Sequence, residues 1–191
     1  MANSKLIVIE GAQGAGKTTI TDFLRSAVPY TNLYRLSGTS DTSIEGLKKS
    51  KNMYKSLLKY TKELENKQIN LLFDRTFFSE ENYCRLGFKD YSFTNVYNEL
   101  LKDFANLDFD IYYITVYLKD ENLFSERLKR DGKCEPSYAK FKAENSINQQ
   151  HVYLQMCDEI KSAYPNIHTL KLDNTSNFEN TKKTLKEFIK F

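Results

Sequence analysis

A glycine-rich segment near the start of the chain, residues 11–18 (GAQGAGKT), matches the pattern G-x-x-x-x-G-K-[ST] at every required position. In this pattern the glycines let main-chain N–H groups turn toward phosphate, the lysine offers a positive charge, and the hydroxyl can ligate Mg²⁺. The chain has only 7 glycines, so a chance match is rare. We therefore predict that the protein binds a nucleoside triphosphate. The residues expected to contact it are Gly11, Ala12, Gln13, Gly14, Ala15, Gly16, Lys17, Thr18 and Thr19.

The elements on either side of this segment are those that a phosphate-binding loop requires. Residues 6–9 form an apolar run typical of a buried strand, and residues 18–24 open a helical pattern. Further along the chain apolar runs alternate with helical patterns, which predicts an α/β fold with a parallel sheet and helices on both faces. The five candidate strands are residues 6–9, 33–36, 70–73, 111–118 and 167–172. The 191 residues contain no repeat or linker-like stretch, so we expect a single domain over 1–191.

Local signals also place helices between these strands. Ser79 is a residue type that caps helices, and a helical pattern follows it toward Gly87. A longer pattern extends from about residue 137 to 164, where Pro165 stops it. The last helical pattern begins at about Phe178.

Charge and composition exclude several classes of protein. The chain has 28 basic and 25 acidic residues, and this net charge of +3 is too balanced for a general nucleic-acid or membrane surface. No apolar run approaches the length of a membrane span, and no signal-peptide pattern precedes the first strand. Three widely spaced cysteines form no disulfide framework. We expect a soluble, cytoplasmic protein that binds neither membranes nor nucleic acid.

A second candidate site follows the third predicted strand, at Asp74 and Arg75. In an open α/β sheet ligands lie beyond the carboxyl ends of the strands, so these side chains are expected near the phosphate-binding loop. Asp74 could hold the metal shell or accept a proton from an attacking oxygen, and Arg75 could grip a phosphate with two hydrogen bonds. A solvated Asp–Arg ion pair is the alternative interpretation.

The residues after the third predicted strand follow the spacing Asp-Arg-x-x-x-Ser-x-x-x-Tyr, filled by Asp74, Arg75, Ser79 and Tyr83. This stretch resembles that of thymidylate kinases, and deoxynucleoside kinases have Glu-Arg-Ser in the same place. Residues 9–19 and the order of elements across nearly the whole chain are similar to both families. The resemblance implies a three-layer P-loop kinase fold with a five-stranded parallel sheet and a lid. It also implies ATP and Mg²⁺ as cofactors, a nucleotide or nucleoside as acceptor and, by analogy, a homodimer.

A third positive cluster lies after the fourth predicted strand, where Arg127 and Arg130 are three residues apart and so share a helix face. Thymidylate kinases have a similar Glu-Arg-x-x-x-Arg run before a lid that closes over the triphosphate. The resemblance implies that Arg127 or Arg130 reaches the transferred phosphoryl group and stabilises its charge. The alternative is a solvated basic helix end that interacts favourably with the helix dipole.

The acceptor is the part of the reaction that the sequence defines least. Thymidylate kinases usually have Arg-Glu-Pro-Gly-Gly after the second strand, where this chain has residues 35–39 (RLSGT) and no glutamate. The acid that deoxynucleoside kinases use there as general base is also missing, and the nearest acids are Asp41 and Glu45. The candidates for stacking on a base, which could equally belong to the core, are Tyr54, Phe77, Phe78 and Tyr83.

These features together predict an enzyme, a P-loop kinase that moves the γ-phosphoryl group of ATP·Mg²⁺ to a deoxynucleoside monophosphate, with dTMP favoured. A deoxynucleoside kinase acting on a 5′-hydroxyl is the alternative, although it would benefit from the general base that is missing here. A nucleotide-driven switch or ATPase is more remote. The predicted catalytic residues are Lys17, Asp74, Arg75, Arg127 and Arg130, and the predicted metal ligands are Thr18 and Asp74.

Overall fold

The computed structural model describes residues 4–130 and 142–191 of the 191-residue chain. Its centre is a five-stranded sheet in the order β2-β3-β1-β4-β5, in which every pairing is parallel. The strands are β1 Lys5–Gly11, β2 Thr31–Arg35, β3 Asn70–Asp74, β4 Asp110–Tyr117 and β5 His168–Asp173. All five predicted strands are confirmed, with bounds that differ from the predicted ones by at most two residues.

Helices cover both faces of this sheet. They are α1 Lys17–Ala27, α2 Ile44–Glu63, α3 Phe77–Arg85, α4 Thr94–Ala105, α5 Leu123–Arg130, α6 Ala143–Ala163 and α7 Phe178–Ile189. Side chains of a strand alternate between faces, so β1 contributes Leu6 and Val8 to one hydrophobic cluster and Ile7 and Ile9 to another. The first cluster includes residues of α2, α3, α4 and α6, and the second includes residues of α1, α5 and α7. This is the predicted three-layer α/β architecture. Within the described ranges no helix is long and apolar enough to cross a membrane.

The central strand β1 brings the candidate site residues together. It pairs with β3 on one side and with β4 on the other, and the connection from β1 to β2 runs in the opposite direction to the connection from β4 to β5. Such a switch point opens a crevice at the carboxyl end of the sheet. The register places Asp74 of β3 beside Ile9 of β1 and Arg35 of β2. The end of β3 therefore lies next to the phosphate-binding loop.

Two helices begin at positions that differ from the sequence predictions. α3 begins at Phe77 after Thr76, so Ser79 lies in the first turn and does not cap the helix. The Ser79 hydroxyl instead donates to the buried Glu10 carboxylate of β1, which the local pattern could not show. The helix predicted over about 137–164 is interrupted at Lys142, whose backbone is extended, and α6 begins at Ala143. Residues 131–141, which include the predicted lid and the start of that predicted helix, lie outside the described residues.

Candidate active site

Residues 12–16 form a tight turn between β1 and α1. Gly11 has a φ of +152°, and an added Cβ would lie 2.5 Å from the carbonyl oxygen of Val116 on β4. Gly16 has a φ of +97°, and an added Cβ would overlap Nδ2 of Asn174. Both positions therefore require glycine. The turn leads directly into the N-terminus of α1, where the helix dipole favours an anion.

This loop lines a cavity of about 360 Å³, which we call the phosphate-loop cavity. Lys17 is 6% exposed, and its Nζ donates hydrogen bonds of 2.8 Å to the carbonyl oxygens of Gly11 and Ala12. The first turn of α1 contains no acidic residue that would compete with an anionic ligand for the positive end of the helix dipole. Such a cavity has the charge and the donors to bind phosphate groups. Its lining residues include Gln13, Gly14, Gly16, Lys17, Thr18, Thr19, Asp74, Arg75 and Arg130.

Thr18 and Asp74 line this cavity together and supply two oxygen ligands of the kind that Mg²⁺ prefers. Asp74 is 7% exposed, and Nε of Arg35 lies 3.6 Å from its Oδ2. Kinase sites usually hold Mg²⁺ with few protein ligands, together with water and substrate phosphates. The Thr18 hydroxyl and the Asp74 carboxylate fit a Mg²⁺ site in which water and substrate phosphates supply the remaining ligands. No cluster of His, Cys, Asp or Glu that could hold a metal without a substrate occurs in residues 4–130 and 142–191.

Arg75 connects the phosphate-loop cavity to a second cavity. Its φ of +72° is rare for a residue with a side chain, and such conformations concentrate at functional sites. Nη1 donates to the Tyr83 hydroxyl at 2.9 Å, and Nη2 donates to Oε1 of Gln13 at 2.6 Å. Arg75 and Gln13 line both cavities, so two ligands would meet at these side chains.

The second cavity has a volume of about 480 Å³, and we call it the acceptor cavity. Lys89 is 8% exposed; its Nζ lies 3.4 Å from Oε1 of Glu80 and donates to the carbonyl oxygen of Thr39. Lys89 thereby holds the segment after β2 that forms one wall. No acid is among the described lining residues and the Lys89 charge is paired with Glu80, so Arg75 supplies the positive charge that suits an anionic group. The described lining residues are Gln13, Leu36, Ser37, Gly38, Thr39, Ser40, Arg75, Tyr83, Lys89 and Gln149.

Tyr83 alone of the four candidate base-stacking residues lines the acceptor cavity in the described part of the chain. Tyr54, Phe77 and Phe78 are at most 1% exposed and belong to the core. The rings of Phe77 and Phe78 stack at 4.3 Å and each packs edge-on against Phe104. A ring that is covered in this way cannot present a face to a ligand. The stacking hypothesis is therefore wrong for these three residues, and their core interpretation is correct.

The structure separates the two arginines of α5. Arg130 lines the phosphate-loop cavity. Arg127 donates from Nη1 to the carbonyl oxygen of Ala15 at 3.3 Å and from Nη2 to that of Asn174 at 2.7 Å. Nδ2 of Asn174 also donates to the Ala15 carbonyl, at 2.9 Å. Arg127 therefore contacts the main chain of the loop and of the segment after β5.

Glu10 is a fully buried acid that the sequence analysis did not single out. Its Oε1 accepts a hydrogen bond of 2.6 Å from the main-chain N–H of Thr76, and its Oε2 accepts one of 2.7 Å from the Ser79 hydroxyl. These contacts tie the end of β1 to the beginning of α3, directly after Arg75. Burial raises the pKa of Glu10 from 4.5 to about 7, although both hydrogen bonds act in the opposite direction.

Replacing Glu10 by Gln is expected to remove a pH dependence of stability. The folded-state pKa of about 7 exceeds the ordinary value of 4.5, so the folded protein binds more protons than the unfolded chain between these values. The free energy of unfolding should therefore fall as the pH rises through this window, by on the order of 2 kcal/mol between about pH 5 and 7. Urea unfolding of both proteins at these pH values measures the difference. If the free energy of unfolding changed with pH equally in the two proteins, Glu10 would not titrate in this pH range.

Lys89 and Gln149 are further polar residues of the site that the sequence analysis missed. Gln149 is 136 residues from Gln13, whose main-chain N–H donates to its Oε1 at 3.3 Å. No local pattern marks either residue. Glu10 did have a usable signal, because an acid that ends an apolar strand must find partners when it is buried.

Comparison with known proteins identifies the fold. No protein-family model matches the sequence, and no curated protein matches it. Thymidylate kinase from Candida albicans superimposes with a TM-score of 0.64 at 15% identity, over 100% of this chain and 93% of that one. Deoxyadenosine kinase from M. mycoides with bound dCTP gives a TM-score of 0.59 at 19% identity, over 97% of this chain and 98% of that one. The same kinase with dCMP and a flexible dCDP gives a TM-score of 0.55 at 21% identity, over 97% of this chain and 98% of that one. The chain therefore has the P-loop kinase fold that these nucleotide and nucleoside kinases share, as the sequence predicted.

Proposed function

We propose that the protein is an ATP-dependent phosphotransferase that moves the γ-phosphoryl group of ATP to a nucleotide or nucleoside, with a deoxynucleoside monophosphate such as dTMP as the favoured acceptor. The observation that carries the proposal is the junction of the phosphate-loop cavity and the acceptor cavity at Gln13 and Arg75. Two ligands in these cavities would meet end to end, which phosphoryl transfer requires. The likeness to thymidylate kinase and deoxyadenosine kinase supports the same proposal.

In this proposal the side chains position the reactants and neutralise their charge. Lys17 and the loop N–H groups hold the β- and γ-phosphates, and Thr18 and Asp74 would hold Mg²⁺. The metal, when bound, would neutralise charge on the phosphate oxygens. Arg75 grips the phosphate of the acceptor, and Arg130 stabilises the charge that develops on the transferred group.

The charges of the acceptor cavity favour a monophosphate over a free 5′-hydroxyl. A hydroxyl acceptor benefits from a general base, and no acid is among the described lining residues. Asp41, one of the nearest acids in the sequence, accepts a hydrogen bond of 2.7 Å from Lys49, which holds its pKa below the usual range. Arg75 offers positive charge to a phosphate instead.

ADP formation measured with dTMP, the other deoxynucleoside monophosphates and the free deoxynucleosides tests the proposal. We expect a monophosphate to be used with a kcat/KM at least about 100-fold above that of its nucleoside, because a nucleoside has no phosphate for the Arg75 guanidinium to bind. If only free nucleosides were phosphorylated, the acceptor would be a 5′-hydroxyl and the protein a nucleoside kinase. ADP release that no acceptor alters would favour the switch or ATPase. The homodimer and the cytoplasmic location stay predictions.

A further inference from the structure

Gln149 on α6 is 1% exposed and lies beside the phosphate-binding loop. Its Oε1 accepts a hydrogen bond of 3.3 Å from the main-chain N–H of Gln13. A main-chain N–H can only donate, so the amide is oriented with its oxygen toward the loop. Nε2 then carries two N–H donors, which form no hydrogen bond to residues 4–130 or 142–191.

The surroundings of these donors favour an oxygen ligand. Gln149 lines the acceptor cavity together with Arg75 and Gln13, and the Gln13 side-chain oxygen is already occupied by Arg75 at 2.6 Å. Because Gln149 lines this cavity, its N–H donors are accessible to water or to a ligand, and polar groups of this kind are usually paired with one or the other. The Arg75 guanidinium lines the same cavity, and no described lining residue is acidic. The ligand group that suits the Gln149 donors is therefore an anionic oxygen.

We propose that Gln149 is a substrate-binding residue whose Nε2 donates a hydrogen bond to the phosphate of the acceptor nucleotide, an inference that rests on the proposed kinase function. The oxygen of the same amide holds the phosphate-binding loop at Gln13. One side chain thus contacts the acceptor and the loop that binds ATP, so it sets the distance between the two phosphate groups. Arg75 supplies the charge at this junction, and Gln149 supplies a directional donor.

The test compares Gln149→Glu with the wild-type protein by calorimetric binding of dTMP, thymidine and a non-hydrolysable ATP analogue, each added alone. The glutamate keeps an oxygen for the Gln13 N–H but replaces the donor by a negative charge. We expect dTMP affinity to fall at least about 10-fold, while the affinity for thymidine changes less than about 3-fold and the ATP analogue loses less affinity than dTMP. Gln155→Glu is the matched control, because Gln155 lies on the same helix, is exposed and bonds only to Glu159 in the described chain. The Gln155→Glu variant should bind dTMP with the wild-type affinity.

Unchanged dTMP affinity in Gln149→Glu, or an equal loss for dTMP and thymidine, would overturn the phosphate contact. If this variant does not fold, Gln149→Met is measured in the same way. It removes both hydrogen bonds without adding charge, and dTMP is again expected to lose more affinity than thymidine. If another base is preferred, its monophosphate and nucleoside replace dTMP and thymidine. A wild-type protein that binds no monophosphate and no nucleoside would overturn the proposed function itself, which is a distinct result.

Discussion

Replacing Lys17 by Met is expected to lower the turnover number for phosphoryl transfer by about 10³-fold or more. The side chain is 6% exposed, and its ammonium lies 2.8 Å from each of two loop carbonyl oxygens. Where solvent is largely excluded, a positive charge interacts with phosphate oxygens more strongly than in water. Methionine keeps the apolar part of the side chain but removes the charge. The steady-state rate at saturating ATP and acceptor, divided by the enzyme concentration, measures the effect.

The matched control for this variant is Lys183→Met on α7. Its side chain is 78% exposed, so the rate should stay within about 2-fold of the wild-type value. Far-ultraviolet circular dichroism of both variants shows whether the fold is retained. A folded Lys17→Met protein with an undiminished turnover number would contradict the role proposed for the phosphate-binding loop.

Most of the fold could be predicted because its signals are local. Residues 111–118 are β-branched and aromatic with little alternation, which is typical of a strand covered on both faces. In the structure Tyr113 of β4 packs in one hydrophobic cluster and Ile114 in the other. The glycine, lysine and threonine spacing of residues 11–18 likewise specifies a turn and the helix that follows it. Ser79 misled the prediction because a serine near a helix start has the same local pattern whether it caps the helix or lies in its first turn.

Contacts between distant residues could not be predicted. Glu10 accepts a hydrogen bond from Ser79, which is 69 residues away, and Gln149 accepts one from Gln13 at a separation of 136. No rule of residue spacing joins such positions. These contacts depend on which helix each crossover connection places over the sheet and on where along the strands that helix lies. The residue types of the phosphate-binding loop therefore followed from the sequence, whereas outside that loop only Arg75 and Tyr83 of the acceptor cavity did.

Replacing Arg130 by Met is expected to lower the turnover number by about 10²- to 10³-fold with a smaller change in KM for ATP. Arg130 lines the phosphate-loop cavity together with Lys17 and Thr18, where the transferred group would lie. A charge that meets the phosphoryl group as it transfers acts mainly on the transition state. Its loss should therefore appear in kcat. Steady-state kinetics over a range of ATP concentrations separates kcat from KM.

The same measurement on Arg127→Met should give a different result. Helix periodicity places Arg127 and Arg130 on one face, but only the position of α5 determines what each contacts. Arg127 bonds to the carbonyl oxygens of Ala15 and Asn174, so its loss should loosen the loop and raise KM for ATP by about 10-fold. Turnover at saturating ATP should fall less than in the Arg130 variant. If the Arg127 variant instead loses turnover and the Arg130 variant does not, the stabilising charge comes from Arg127, and α5 must move relative to the loop before the phosphoryl group transfers.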